Sequence, residues 1–172
     1  EVQILDEQGN PVPRGSVGTV YVRNAQTMSG YLNDATATRD SQRGEWMTVD
    51  DLGYQDQDGY LFLAGRTRDM LKSGGVNIYP VEIEEVLSKH PSVLEVAVVG
   101  LPDPEWGERV TAIVVPRGSS FDAAEVEKFA RLHLSGTKIP RRWELVTELP
   151  RNATGKVLKK ELRQRFSTSP AA

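Results

Sequence analysis

The pattern of apolar residues changes near Arg68, and this change limits the folds open to the chain more than any other feature. Residues 1–64 consist of short strand-like runs, such as Val2–Leu5 and Gly18–Val22, separated by turns rich in Gly, Asn and Asp. No helix long enough to cover a sheet is predicted there. We therefore expect a β-rich first part, followed by a second part built differently.

Beyond Arg68, the pattern predicts helices mixed with buried strands. A helix is predicted from Pro80, because proline's missing N–H costs nothing in the first helical turn, and Ile83, Val86 and Leu87 form its apolar stripe. The segments that follow are a strand at 93–99, a strand at 110–115, a helix begun by Asp122, a strand at 143–146 and a helix carrying Leu158, Leu162 and Phe166. This order predicts an α+β protein with a small C-terminal α/β domain, in which helices flank a central sheet. The predicted boundaries are 1–67, 68–166 and a disordered tail at 167–172.

Composition excludes several classes of protein. The chain has no cysteine and only two histidines, far apart, so neither a disulfide framework nor a metal site is predicted. No apolar run reaches the roughly 20 residues that span a bilayer. From Gly136 onward, 9 Lys and Arg stand against 3 Asp and Glu. Such a basic end suits a phosphorylated small molecule, a membrane surface or nucleic acid, and the alternative is a solvated helix face.

Three motifs carry the chemistry. They are Gly44–Gly53 (GEWMTVDDLG), Arg66–Glu84 (RTRDMLKSGGVNIYPVEIE) and Pro150–Lys156 (PRNATGK). In this order and spacing they resemble the C-terminal third of an adenylate-forming acyl-CoA synthetase, in the superfamily that also holds luciferases and peptide-synthetase adenylation domains. The resemblance covers nearly all of residues 1–166. It implies that the β-rich part ends a large N-terminal domain and that residues 68–166 form a mobile C-terminal domain.

The resemblance implies a ligase that converts a carboxylic acid, expected to be a fatty acid, and MgATP into acyl-AMP and then transfers the acyl group to CoA. The implied cofactors are ATP, Mg²⁺ and CoA, and the phosphate-binding loop, the magnesium ligand and the acyl pocket are expected upstream. The chain alone is therefore expected to be inactive, with the rest of the same protein as its partner, no nucleic acid partner, and a cytoplasmic location that permits peripheral membrane contact. Two alternatives stay open. One is an adenylation domain that loads a carrier protein, although Gly75–Pro80 favours free CoA, and the other is a non-enzymatic binding module.

Two residues are implied to bind the ribose of ATP. Asp51 matches the family's diol-binding aspartate, and Arg66 matches its second ribose contact. The alternatives are a turn carboxylate at Asp51 and an ion pair between Arg66 and Asp69. The family usually reads Thr-Gly-Asp where this chain has Val49-Asp50-Asp51, so the threonine contact does not carry over.

The next residues belong, by resemblance, to the change of conformation between the two half-reactions. Arg68 falls at the hinge position, which is usually Asp or Lys, and the alternative is an ordinary exposed arginine. Lys72, Gly74 and Gly75 match the loop that enters the active site for thioester formation and lines the CoA channel. A simple hairpin turn is the alternative for the two glycines.

Lys156 is predicted to be the catalytic residue. Bringing a carboxylate to the α-phosphate of ATP builds negative charge, which a positioned ammonium stabilises. The alternative is an exposed loop lysine. Gly155-Lys156 is not a Walker A loop, because Ser or Thr does not follow the lysine and the upstream glycine is missing.

Overall fold

The structure is a computed structural model that describes residues 1–167. The chain divides into two compact units, Glu1–Arg68 and a second that begins at Asp69. The division lies inside a single 3₁₀ turn, Thr67–Asp69.

The first unit contains a six-stranded antiparallel sheet and one short helix. Its elements are β1 (Val2–Leu5), β2 (Gly18–Val22), α1 (Ala35–Asp40), β3 (Gln42–Arg43), β4 (Trp46–Met47), β5 (Asp51–Gln55) and β6 (Leu61–Arg66). The strands run in the order β3-β4-β2-β5-β6, and β1 pairs with β2. The turn residues act as the sequence predicts. The Asp6 carboxylate accepts the N–H of Asn10 at 2.8 Å, and the Asp56 carboxylate accepts that of Tyr60 at 2.8 Å.

The second unit contains a five-stranded sheet with helices on both faces. Its elements are β7 (Leu71–Ser73), β8 (Val76–Ile78), α2 (Pro80–Leu87), β9 (Val93–Asp103), β10 (Gly107–Pro116), α3 (Ala123–Arg131), β11 (Arg142–Leu145) and α4 (Lys159–Ser167). The strands run in the order β11-β10-β7-β8, and β9 also pairs with β10. The β10–β11 pair is parallel and the others are antiparallel.

Two separate hydrophobic clusters lie on the two faces of the β9–β10 pair. On β9, Val98 belongs to the cluster that also contains residues of α2 and α3, whereas Ala97 and Val99 belong to the cluster that contains Leu162 and Phe166 of α4. Strands covered on both faces need apolar residues at every position, which explains the continuous apolar runs in the sequence. The first cluster consists of Leu71, Ile78, Ile83, Leu87, Val93, Val98, Val110, Ala112, Val114, Val126, Ala130, Leu134 and Ile139.

The predicted α+β class is confirmed, and the predicted elements of the second unit occur in the predicted order. Asp122 begins α3 by accepting the N–H of Ala124 at 2.8 Å. The sequence pattern does not predict α1 or the β7–β8 pair, and it predicts an end of β9 four residues too early. Placing Ser167 in a disordered tail was wrong, because α4 includes it, and the rest of that predicted tail lies outside the described residues. No helix within residues 1–167 is long and apolar enough to cross a membrane.

Candidate functional site

Asp51 and Arg66 lie opposite each other on the paired strands β5 and β6. The Arg66 Nε donates to the Asp51 Oδ1 at 2.9 Å, and both side chains are partly exposed. The ion-pair partner of Arg66 is thus Asp51, and Asp69 lies 3.6 Å from Arg163. The structure brings together the two residues that the sequence predicts as ribose contacts, and their roles stay predictions.

The Val49-Asp50 departure from the usual Thr-Gly falls at a tight turn. Asp50 has φ of 64°, in the left-handed region that glycine adopts freely and that aspartate tolerates better than most residues. The Thr48 hydroxyl accepts the N–H of Asp50 at 3.0 Å, and the Asp50 carbonyl accepts the N–H of Thr67 at 2.9 Å. The turn is thus kept without glycine, and Val49 beside it is half exposed.

The two neighbours of Arg68, Thr67 and Asp69, form contacts in different compact units. Thr67 bonds to Asp50, as described above, and Asp69 is close to Arg163 of α4. Arg68 itself is exposed. Only one residue thus separates the anchors of the two compact units, which is a suitable place for a hinge. The hinge role itself stays a prediction.

Gly74 and Gly75 form the two-residue turn of the β7–β8 hairpin, in which Ser73 pairs with Val76. Their φ values of 57° and 78° match a type I′ turn, which favours glycine because both central residues have positive φ. The hairpin-turn alternative thus describes the local geometry, and it does not exclude a functional role. Lys72 is exposed on β7, and its N–H donates to the Glu108 carboxylate at 2.7 Å.

Trp106 in the β9–β10 turn lies against this hairpin. The Gly74 N–H donates to the Trp106 carbonyl at 2.9 Å, and a Cβ at Gly74 would come within 3.0 Å of the indole. The Arg141 guanidinium lies 3.8 Å from the centre of the indole ring, within the range of a cation–π contact. A groove of about 630 Å³ beside this stack is lined in part by Arg131, Ser135 and Thr137.

Asp103 organises the turn that carries Trp106. Its buried carboxylate accepts the N–H groups of Glu105 and Trp106, both at 2.9 Å, and the Arg109 Nε at 2.6 Å. The backbone N–H of Trp106 lowers the pKa of Asp103 most, that of Glu105 and the Arg109 guanidinium lower it further, and desolvation opposes them. A carboxylate with this many donors stays ionised and holds the turn.

Lys156 is exposed on the loop between Arg151 and Val157, which form an isolated β-bridge. No carboxylate within residues 1–167 forms an ion pair with its ammonium group. The loop contains several internal hydrogen bonds. Its backbone bonds to Asn152, so the direction in which Lys156 leaves the loop is set by local hydrogen bonds.

Most of the basic residues near the C-terminus contact other side chains. Lys159 pairs with Glu84 at 2.7 Å, and Arg151 pairs with Glu95 at 3.0 Å. Arg142 pairs with Glu144 at 2.6 Å. These pairs support the ordinary interpretation of the basic end over a continuous surface for phosphate or lipid.

The sequence alone assigns no individual role to several residues of this region. They are Trp106, Asp103, Glu84, Arg151 and Asn152. Asn152 carried a usable signal, because Asn before a glycine-containing turn often accepts nearby backbone N–H groups. The contacts of Trp106 join residues far apart in the sequence, and no local pattern reveals them.

Comparison with known proteins agrees with this geometry. Residues 82–156 match the family described as the AMP-binding enzyme C-terminal domain. The chain is 41% identical over 164 residues to an indoleacetate–CoA ligase of Aromatoleum aromaticum, covering 95% of this chain and 32% of that protein. It is 41% identical over 167 residues to a feruloyl-CoA synthase of an Amycolatopsis species, covering 96% and 34%. The chain thus spans about a third of the length of these curated relatives.

Two solved structures have the same fold. ATP-bound MatB from Rhodopseudomonas palustris superposes with a TM-score of 0.91 at 35% identity, covering 98% of this chain and 34% of that one. The amide bond synthetase McbA from Marinactinospora thermotolerans gives a TM-score of 0.90 at 41% identity, covering 96% and 34%.

The fold and the order of its motifs are similar to those of one part of adenylate-forming enzymes. Residues 82–156 match the AMP-binding enzyme C-terminal domain, and the curated relatives named above are CoA ligases or synthases by name. The resemblance to adenylate-forming acyl-CoA synthetases is confirmed.

Proposed function

We propose that this chain is the C-terminal part of an AMP-forming carboxylic acid–CoA ligase. The observation that carries the proposal is the exposed Lys156, on a hydrogen-bonded loop, within the stretch that matches the family. Acyl-adenylate formation joins two anions, and a positioned ammonium lowers the cost of the charge that builds at phosphorus. Lys156 has this role in our proposal.

Asp51 and Arg66 are proposed to bind the ribose of ATP. A carboxylate accepts hydrogen bonds from a sugar diol, and the Arg66 guanidinium at 2.9 Å orients that carboxylate. These two residues fit a ribose through the chemistry of their side chains. Within residues 1–167, no three His, Asp or Glu side chains cluster as metal ligands, and Mg²⁺ enters the proposal only through the resemblance.

Arg68 is proposed to be the pivot between two working conformations. The support is that the neighbours of Arg68, Thr67 and Asp69, contact different compact units. The β7–β8 hairpin, with Lys72, Gly74 and Gly75, is proposed to serve the second half-reaction, in which the CoA thiol attacks acyl-AMP. The groove beside Trp106 and Arg141 is then the face on which we expect part of CoA to bind.

The acid is proposed to be aromatic rather than a fatty acid. The support is that two curated relatives at 41% identity are named for indoleacetate and ferulate. A screen of the full-length protein with aromatic and fatty acids, ATP and CoA tests this choice. Turnover confined to fatty acids would contradict it.

The acceptor needs its own test, because an amide bond synthetase is as similar to the chain as the CoA ligases are. A second candidate function is therefore transfer of the acyl group to an amine. The full-length protein is offered CoA or an amine in separate reactions. We expect CoA to be consumed, and amide formation without thioester formation would select the second candidate.

The catalytic role of Lys156 is tested by separating the two half-reactions. In the full-length protein, we expect Lys156→Ala to lower ATP–pyrophosphate exchange by about a hundredfold or more, because a stabilising contact to the developing charge is lost. Thioester formation from supplied acyl-AMP is expected to persist. Equal loss of both half-reactions would instead indicate that Lys156 is structural. Lys160, exposed on α4, offers a matched control, and Lys160→Ala is expected to change neither rate.

A further inference from the structure

The loop that carries Lys156 is folded around the side chain of Asn152. The Asn152 Oδ1 accepts the N–H of Lys156 at 2.8 Å, the N–H of Thr154 at 3.1 Å and the Thr154 hydroxyl at 2.8 Å. The backbone N–H of Asn152 donates to the Lys156 carbonyl at 2.9 Å, and its carbonyl accepts the N–H of Gly155 at 2.9 Å. Asn152 therefore holds both backbone polar groups of Lys156.

Arg151 fastens the same loop to the sheet. Its Nη1 donates to the Gly155 carbonyl at 2.7 Å, and its Nη2 donates to Glu95 of β9 at 3.0 Å. The loop closes beyond Lys156 through the Arg151–Val157 bridge, and Val157 packs against the cluster under α4. The backbone at Lys156 is thus held from inside the loop by Asn152 and from outside by Arg151.

We propose that Asn152 is a positioning residue for Lys156, with Arg151 as its support from the sheet. This inference rests on the proposed function. A lysine side chain has a flexible four-carbon stem, so the place that its ammonium reaches depends on where the backbone starts. Without the Asn152 acceptor, several conformations of the loop become accessible and the ammonium spends less time near the reacting phosphate. A displacement of about 1 Å costs a catalytic group roughly a hundredfold in rate.

Because these contacts lie at the protein surface, an effect on the position of Lys156 can be distinguished from an effect on stability. Residues 151–156 are all exposed, so replacing Asn152 opens no cavity in either hydrophobic cluster. The loss of hydrogen bonds at an exposed loop is largely compensated by water. We therefore expect a change in rate with a shift in Tm of less than about 4 °C.

The test uses four variants of the full-length protein, one of which is Arg151→Leu. Asn152→Leu has a similar size but no acceptor, and Asn152→Asp keeps the acceptor oxygens. Asn24→Leu is the matched control, because the Asn24 carboxamide accepts the N–H of Gln26 at 2.7 Å in a similar turn of the other compact unit. Each variant is assayed for ATP–pyrophosphate exchange and, separately, for thioester formation from supplied acyl-AMP.

We expect Asn152→Leu to lower kcat of the exchange by about ten- to a hundredfold and to leave thioester formation within about twofold. Asn152→Asp is expected to retain the exchange rate within about fivefold, since its acceptors remain. Arg151→Leu is also expected to lower pyrophosphate exchange more than thioester formation, but by a smaller factor than Asn152→Leu. The control variant is expected to match the unaltered protein in both assays.

Hydrogen exchange gives a readout that does not depend on activity. The Lys156 amide is expected to exchange faster in Asn152→Leu than in the unaltered protein. If the unaltered protein forms no acyl-adenylate, the proposed function fails, and this inference fails with it. If the unaltered protein is active and Asn152→Leu exchanges pyrophosphate equally fast, or loses both half-reactions equally, only the positioning role is overturned.

Discussion

Replacing each glycine of the β7–β8 turn by alanine distinguishes the free-energy cost of backbone strain from that of side-chain crowding. Both glycines have positive φ, and an L-residue in this conformation costs about 1–2 kcal/mol. Alanine also restricts the unfolded chain, which returns about 0.4–1 kcal/mol. A Cβ at Gly75 would meet no atom within 4 Å, so only these two terms apply, and we expect Gly75→Ala to destabilise by about 1 kcal/mol.

Gly74 carries a further cost. A Cβ at this position would lie 3.0 Å from two carbons of the Trp106 indole, which the Arg141 guanidinium holds from 3.8 Å. Crowding of this kind adds about 1–3 kcal/mol. We therefore expect Gly74→Ala to destabilise by about 2–4 kcal/mol, clearly more than Gly75→Ala.

Urea unfolding of the 172-residue chain, followed by circular dichroism, measures both free energies. A double-mutant cycle with Trp106→Leu isolates the crowding, because the extra cost of Gly74→Ala is expected to shrink when the indole is absent. Gly75→Ala is the matched control and is expected to cost the same in both backgrounds. Equal costs for the two alanine variants, or an unchanged cost of Gly74→Ala without the indole, would refute the reasoning.

Three further predictions follow from contacts described above. Asp51→Asn is expected to raise KM for ATP in the full-length protein. It is expected to change the free energy of unfolding by less than about 1 kcal/mol, since a partly exposed ion pair adds little stability. A large loss of stability with unchanged KM would favour a structural role. Glu84→Ala is expected to destabilise by about 1–3 kcal/mol in urea unfolding and more than Lys159→Ala, because Glu84 accepts both the Lys159 ammonium and a backbone N–H of β9, each at 2.7 Å; a larger effect at Lys159 would contradict this. The pKa of Asp103 is lowered by several donors, and the N–H of Trp106 contributes most. The Asp103 carboxylate therefore adds stability above the unfolded-state pKa of 3.8, and this contribution is lost as the pH falls through the lower folded-state pKa. Asp103→Asn should therefore destabilise most at neutral pH, and a stability difference that does not shrink below about pH 4 would overturn this.

The sequence predicts the second unit well, because its core strands are apolar at consecutive positions and its helices carry clear stripes. Helix α1 was missed for the opposite reason, since none of its residues is buried and no periodicity arises. The β7–β8 strands have only three residues each, too few for a two-residue alternation to be visible. Their pairing depends on the glycine turn and on contacts with Trp106 far along the chain.

The candidate site, too, could be predicted only in part from the sequence. Asp51, Arg66 and Lys156 are predicted through motifs, in which residue type and spacing can be read from the sequence itself. The contacts around them were not found, because they depend on the folded chain. Arg66 has Asp51 as its partner, fifteen residues away on the neighbouring strand, rather than nearby Asp69. Arg151 reaches Glu95, which the sequence places fifty-six residues away.

The two-sided burial of β9 has a consequence for how the domain tolerates change. Val98 has the neighbours of one cluster and Val99 those of the other, although the two residues are adjacent in sequence. A substitution at one position is therefore compensated by changes under α2 and α3, and at the next position by changes under α4. Neighbouring positions of this strand are therefore under separate packing constraints, and the two halves of the core are open to independent redesign.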